Sequence, residues 1–186
     1  MIPIHARLAA SALAITAVLL AVPVRAQQSA APAQPAKIQA TFAGDVTNLS
    51  DKFTGLARVM AGKYDWRPGP GVRSVAEVFN LIVSENRMLN NLLTGAAGQG
   101  RGGGMGGNTA VTDPAQMQAD LKGTYETLRQ TIAGLSDADL NTAVRIFGRD
   151  TTKQGAILII LFDQHEHLGQ SIAYARTNGV VPPWSK

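Results

Sequence analysis

Apolar residues recur along most of this chain at steps of three and four, the spacing of one stripe on an α-helix. Ile38, Phe42, Val46, Leu49, Phe53, Leu56 and Met60 form the first such stripe, with Gly62 placed where a helix would end. The segment Tyr64-Asp65-Trp66-Arg67-Pro68-Gly69-Pro70-Gly71 breaks the pattern, because its prolines lack the amide donor and disfavour helical geometry before them. Ser74-Val75-Ala76-Glu77 then reads as a capping box, and Val75, Val78, Phe79, Ile82, Leu89 and Leu93 supply the second stripe, ending near Thr94-Gly95. Asp113-Pro114 opens a third helix as N-cap and first-turn proline, with Met117, Leu121, Tyr125, Leu128, Ile132 and Leu135 as its core face. After a short turn at Ser136-Asp137-Ala138-Asp139 and an extended Arg145-Ile146-Phe147-Gly148, Thr151 or Thr152 caps a last helix that runs to Asn178 and stops at Gly179. Val180 to Trp184 is a non-helical tail. Four long amphipathic helices and no expected sheet predict an all-α, up-down four-helix bundle, in which sites lie between facing helices.

The two ends of the pattern differ from its middle. Arg7, the apolar run Leu8 to Val22 and the small-residue site Val24-Arg25-Ala26 form a secretory leader over residues 1–26, so the mature protein is expected to be exported, periplasmic or secreted. An uncleaved leader would instead tether it to a membrane. Gln27 to Lys37 is an Ala/Pro-rich spacer, and residues 38–186 are the folded domain. Gly95 to Gly107 holds eight glycines in thirteen residues. It has no lysine for a phosphate-binding loop, and its backbone entropy predicts a mobile connection over 95–112.

Composition removes several function classes. The full chain carries 17 Lys+Arg against 13 Asp+Glu, but Arg7 and Arg25 leave with the leader, so the mature net charge is only +2. That is a poor footing for nucleic acid, which demands clustered cations. No further apolar run reaches the ~18 residues of a membrane span. Zero cysteines exclude a thiol nucleophile, a disulfide framework, a zinc ribbon and a lipidated N-terminal cysteine.

Two histidines survive removal of the leader, His165 and His167. Two residues apart on a helix, they point about 200° away from each other and are ill placed to share one ion. His165 aligns with Leu158, Leu161, Leu168 and Ile172 and is expected to be packed and hydrogen-bonded. His167 follows Asp163 by four residues, which is both metal-ligand spacing and the spacing of an ordinary carboxylate–imidazole pair. Ser84 and Ser171 have no His–Asp partner in the pattern, so neither reads as a nucleophile and no catalytic residue is assigned.

The segments from Tyr64 to Asn80 and from His165 to Trp184, above all the closing His-Leu-Gly-Gln … Tyr-Ala-Arg … Gly … Pro-Pro run, resemble the DinB superfamily, and the resemblance extends from about Ile38 to Trp184. It implies an up-down four-helix bundle. It further implies a divalent metal on three histidines in many members, with thiol-dependent transferases and isomerases among characterised relatives. The three ligand positions fall on Leu81, Asp163 and His167. One imidazole is kept, one becomes a carboxylate, and one becomes a hydrocarbon. Glu85 lies one turn beyond Leu81 on the same face, but a one-turn shift moves a donor by ~5 Å, whereas metal bonds tolerate only about 0.2 Å.

Two functions compete on these grounds. The first is an exported DinB-like bundle with a degraded metal site, acting as a binding module for an unknown small molecule or protein. The second is a divalent-metal-dependent enzyme of hydrolase or transferase type, holding Zn, Ni or Mn on His167, Asp163 and Glu85. A homodimer is compatible with either. Export itself predicts cleavage after Ala26, to be read from the intact mass of the secreted protein; a mature species still carrying Leu8 to Val22 would contradict it.

Overall fold

The computed structural model describes residues 37–96 and 110–185. The expected leader, almost all of the spacer and the centre of the glycine-rich segment lie outside the described residues. In chain order the elements are α1 (Ile38–Val59), a 3₁₀ turn (Ala61–Lys63), α2 (Val75–Thr94), α3 (Pro114–Gly134), α4 (Asp137–Leu140), β1 (Ala143–Ile146), β2 (Arg149–Thr152) and α5 (Lys153–Thr177). The four long helices share one core. Both α1 and α2 pack against α3 and against α5, so the face of α2 that meets α5 is an interior face. No helix among the described residues is long and apolar enough to cross a membrane.

Local chemistry sets the helix ends. Ser74 Oγ accepts from the Glu77 amide at 3.2 Å while the Ser74 amide donates to Glu77 Oε2 at 2.6 Å, closing the expected capping box at the start of α2. Gly95 ends that helix in the left-handed conformation, with φ at 77°. Asp113 and Thr152 cap α3 and α5 as expected, each accepting from the amide three residues on. One boundary differs: α1 stops at Met60, not Gly62, because the chain tightens directly into the 3₁₀ turn and no left-handed glycine is required. Val111, just before α3, is tied to α2. The Asn80 side-chain amide donates to the Val111 carbonyl at 2.9 Å and accepts from the Val111 amide at 3.0 Å.

A second departure is the hairpin. β1 and β2 pair antiparallel from Ala143 opposite Thr152 to Ile146 opposite Arg149. The two-residue turn between them, Phe147 and Gly148, has positive φ at both positions, 49° and 77°. That combination gives a turn whose twist matches the flanking strands. The run Arg145 to Gly148, expected to be extended, is thus one strand end and its turn. A small two-stranded sheet accompanies the helices.

The core is built round aromatic rings. Phe53 of α1 stacks on Tyr125 of α3 and meets Phe79 of α2 edge-on, both at 6.3 Å between centroids. Tyr64 closes on Phe79 at 5.9 Å and donates its hydroxyl to the Ala57 carbonyl at 2.9 Å. The Tyr64–Trp66 connection is therefore tied to both α1 and α2, and it sets where α2 begins. Since α2 carries a candidate ligand, its cap matters to the site. Ser74→Ala should cost about 1 kcal/mol and lower Tm by about 2–4 °C, measured by thermal unfolding; an unchanged Tm would show that the capping box does not hold the helix end.

Candidate metal centre

Glu85 stands on α2 between Ile82 and Leu89, both fully buried, so it occupies the apolar stripe rather than the solvent face. Only 6% of it is exposed. Asp163 and His167 lie one turn apart on α5, the helix that packs against α2. One ligand atom from each of the three residues lies within 4.8 Å of the others, and they form the one such cluster of His and carboxylate side chains among the described residues. Glu85 reaches the group despite its one-turn offset from Leu81. Leu81 itself is half-buried.

His167 Nε2 and Asp163 Oδ2 are 3.6 Å apart, too far for a hydrogen bond. Glu85 Oε2 is buried with no hydrogen-bond partner. The other two unpartnered buried side-chain atoms among the described residues, Gln39 Oε1 and Thr54 Oγ1, belong to neutral groups. Burial pushes the Glu85 carboxyl up to about 8, helped by hydrogen bonding with the neighbouring Asp163 and by its charge, and only partly offset by Gln164 and Arg73.

Polar side chains that the hydrophobic pattern did not single out surround the cluster. Gln164 of α5 is fully buried, accepts from the Tyr125 hydroxyl at 3.0 Å and donates to Asn86 Oδ1 at 2.9 Å. Asn86 donates in turn to Thr124 Oγ1 at 3.2 Å. These bonds join α2, α3 and α5 beside the site. Burial raises the Tyr125 phenol well above its ordinary value, and the charges of Glu85 and Asp45 add to the shift. His167 Nδ1 lies 2.9 Å from Gln170 Oε1. The sequence cue for Gln164 and Asn86 was available in retrospect: each interrupts an otherwise apolar face next to a candidate ligand.

The remaining sequence candidates are placed plainly. His165 is hydrogen-bonded as expected but not packed, since it lies half in solvent and meets Asp45 of α1 at 2.9 Å. It takes no part in the cluster. Ser84 and Ser171 spend their hydroxyls on the carbonyls of Asn80 and His167 at 2.9 and 2.8 Å, the ordinary back-bond of a helical serine.

Residues 47–171 match the sequence family described as the DinB superfamily, which is more than half of the chain. The chain belongs to the DinB superfamily. Two solved DinB-like proteins share the fold of this superfamily member at low identity. One, from Bacillus subtilis, has a TM-score of 0.61 and 16% identity over 75% of this chain and 92% of its own. The other, from Bacillus cereus, has a TM-score of 0.62 and 17% identity over 78% and 95%. No curated protein matches the sequence.

The raised Glu85 carboxyl fixes the sign of a pH effect on the metal-free protein. Between the ordinary glutamate value of 4.5 and about 8, the folded state keeps a proton that the unfolded state has released. Stability therefore falls as pH rises through this window, by on the order of 3 kcal/mol between pH 5 and 8. Denaturant unfolding of wild type and Glu85→Gln in chelator should show this decline in wild type and its loss in the variant; a constant difference between the two across the window would contradict the assignment.

Proposed function

We propose that this protein is an exported DinB-superfamily member with an up-down four-helix bundle that binds one divalent metal ion through Glu85, Asp163 and His167 and uses it in hydrolytic or group-transfer chemistry. The observation that carries the reading is the buried, unpartnered Oε2 of Glu85 beside Asp163 and His167. A cation shared with Asp163 and His167 would take the place of the proton that the buried Glu85 carboxyl otherwise holds, because an ionised carboxylate there needs a counter-charge. The convergence of Glu85 favours this reading over a degraded site. Export rests on the leader pattern of residues 1–26.

The donor set differs from the three imidazoles that the family resemblance implies. Two carboxylates and one imidazole form a harder set, which moves preference towards Mn²⁺ and away from Ni²⁺, with Zn²⁺ still able to bind. Their two negative charges also neutralise a dication that three imidazoles would leave at +2. When bound, the ion supplies Lewis acidity towards a substrate oxygen, moderated by that neutralisation. The protein's share is to hold three donors on two helices, leaving other coordination positions for substrate or water. The substrate is a small molecule or a protein segment that can present an oxygen at this place.

Metal content after purification without chelator, followed by calorimetric titration with Mn²⁺, Zn²⁺ and Ni²⁺, tests the proposal. One equivalent is expected in wild type. Glu85→Gln and His167→Ala should each weaken binding by at least about 100-fold, beyond the 10–100-fold typical of an outer-shell change. Absence of binding in wild type, or equal affinity in Glu85→Gln, would overturn it.

A further inference from the structure

We infer that Tyr174 and Gln170 are positioning residues that hold the neutral ring of His167 in one tautomer, with the proton on Nδ1 and the lone pair of Nε2 turned towards Glu85 and Asp163. The inference rests on the metal reading for its purpose but not for its geometry. Four groups stand in series. The Tyr174 hydroxyl lies 3.1 Å from the Arg73 carbonyl, Gln170 Nε2 lies 2.7 Å from the Tyr174 hydroxyl, and Gln170 Oε1 lies 2.9 Å from His167 Nδ1.

The direction of every bond follows from the first. A backbone carbonyl can only accept, and the Arg73 carbonyl receives no other donor among the described residues. Tyrosine has one proton, so donating it to Arg73 leaves the phenol oxygen only an acceptor for Gln170. The Gln170 amide must then turn its NH₂ to Tyr174 and its oxygen to His167. An oxygen there accepts, so Nδ1 carries the hydrogen and Nε2 is left bare. If the amide were flipped, Nδ1 would become the acceptor and the proton would move to Nε2, pointing at Asp163 Oδ2.

That second arrangement is what an isolated Asp/His pair one turn apart would favour, since it places a donor opposite the carboxylate. The relay works against it. It turns a lone pair towards an acceptor 3.6 Å away, an arrangement suited to a cation held between them. The chain that fixes the ring also spans the fold, from the connection before α2 to the middle of α5. Tyr174 is itself held by an edge-on contact with Trp66 at 5.1 Å.

The test is a two-bond nitrogen–proton NMR correlation on the metal-free full chain, at a pH alkaline enough for the ring to be neutral. His167 is assigned by comparison with His165→Gln and His5→Gln. Wild type should show the Nδ1–H form. Tyr174→Phe keeps the ring against Trp66 but frees the Gln170 amide to flip, so the Nε2–H form should appear and the Kd for Mn²⁺ or Zn²⁺ should rise about 10-fold. An Nε2–H ring in wild type would overturn the inference, as would a Tyr174→Phe variant with unchanged tautomer, even if its Tm falls. An Nδ1–H ring in a protein that takes up no metal would leave the relay standing and defeat the metal reading. Tight binding with an Nε2–H ring in the apoprotein would do the reverse.

Discussion

Burying the carboxyl of Glu85 with its Oε2 left unpartnered is the constraint round which this site is organised. An unsatisfied polar group removed from water costs about 2–7 kcal/mol depending on its reference state, and an unpaired charge costs more. Glu85 meets that cost in the metal-free protein by holding its proton, which is why its carboxyl is pushed up to about 8. A natural chain keeps such a residue on the apolar stripe of α2, between Ile82 and Leu89, only where something offsets the penalty. A divalent ion shared with Asp163 and His167, as proposed above, would do so directly by replacing the proton with two positive charges and engaging all three donors.

The shared helical core supplies the rigidity that such a site needs. Phe53 binds α1 to α2 and α3 through Phe79 and Tyr125, and Tyr125 then reaches α5 through Gln164. Glu85 and its neighbour Asn86 therefore sit on a helix fixed by apolar packing on one side and by a buried amide network on the other. The separation between α2 and α5 is set by these contacts and not by the ligands alone.

How much of this was legible in the sequence depends on the range of the interaction. The helix starts at Ser74, Asp113 and Thr152 were legible because capping involves residues three apart. The stripes were legible because helical period is a local property. Arg145 to Gly148 was misread as simply extended, since Phe-Gly is not among the strongest turn signals and a positive φ at Phe147 is unusual for an aromatic residue. His165 was judged by its apolar neighbours along one helix, but Asp45 on a different helix decides its environment. Spacing alone put Asp163 and His167 one turn apart on a single face, and both lie in the cluster with Glu85. Glu85 was identified, and its one-turn offset counted against it. Whether a long side chain on one helix can reach two others across an interface depends on where the helices pack, which no local pattern encodes. The Gln170–Tyr174–Arg73 relay was hidden for the same reason, because its last bond joins residues 101 positions apart.

The most direct test of a shared cation is anomalous diffraction from crystals grown with Mn²⁺, with data collected on either side of the manganese absorption edge. The account predicts one anomalous peak between α2 and α5, within bonding distance of a carboxylate oxygen of Glu85, a carboxylate oxygen of Asp163 and Nε2 of His167. A peak that excludes Glu85, or a fully occupied ion elsewhere with none at these three residues, would contradict it.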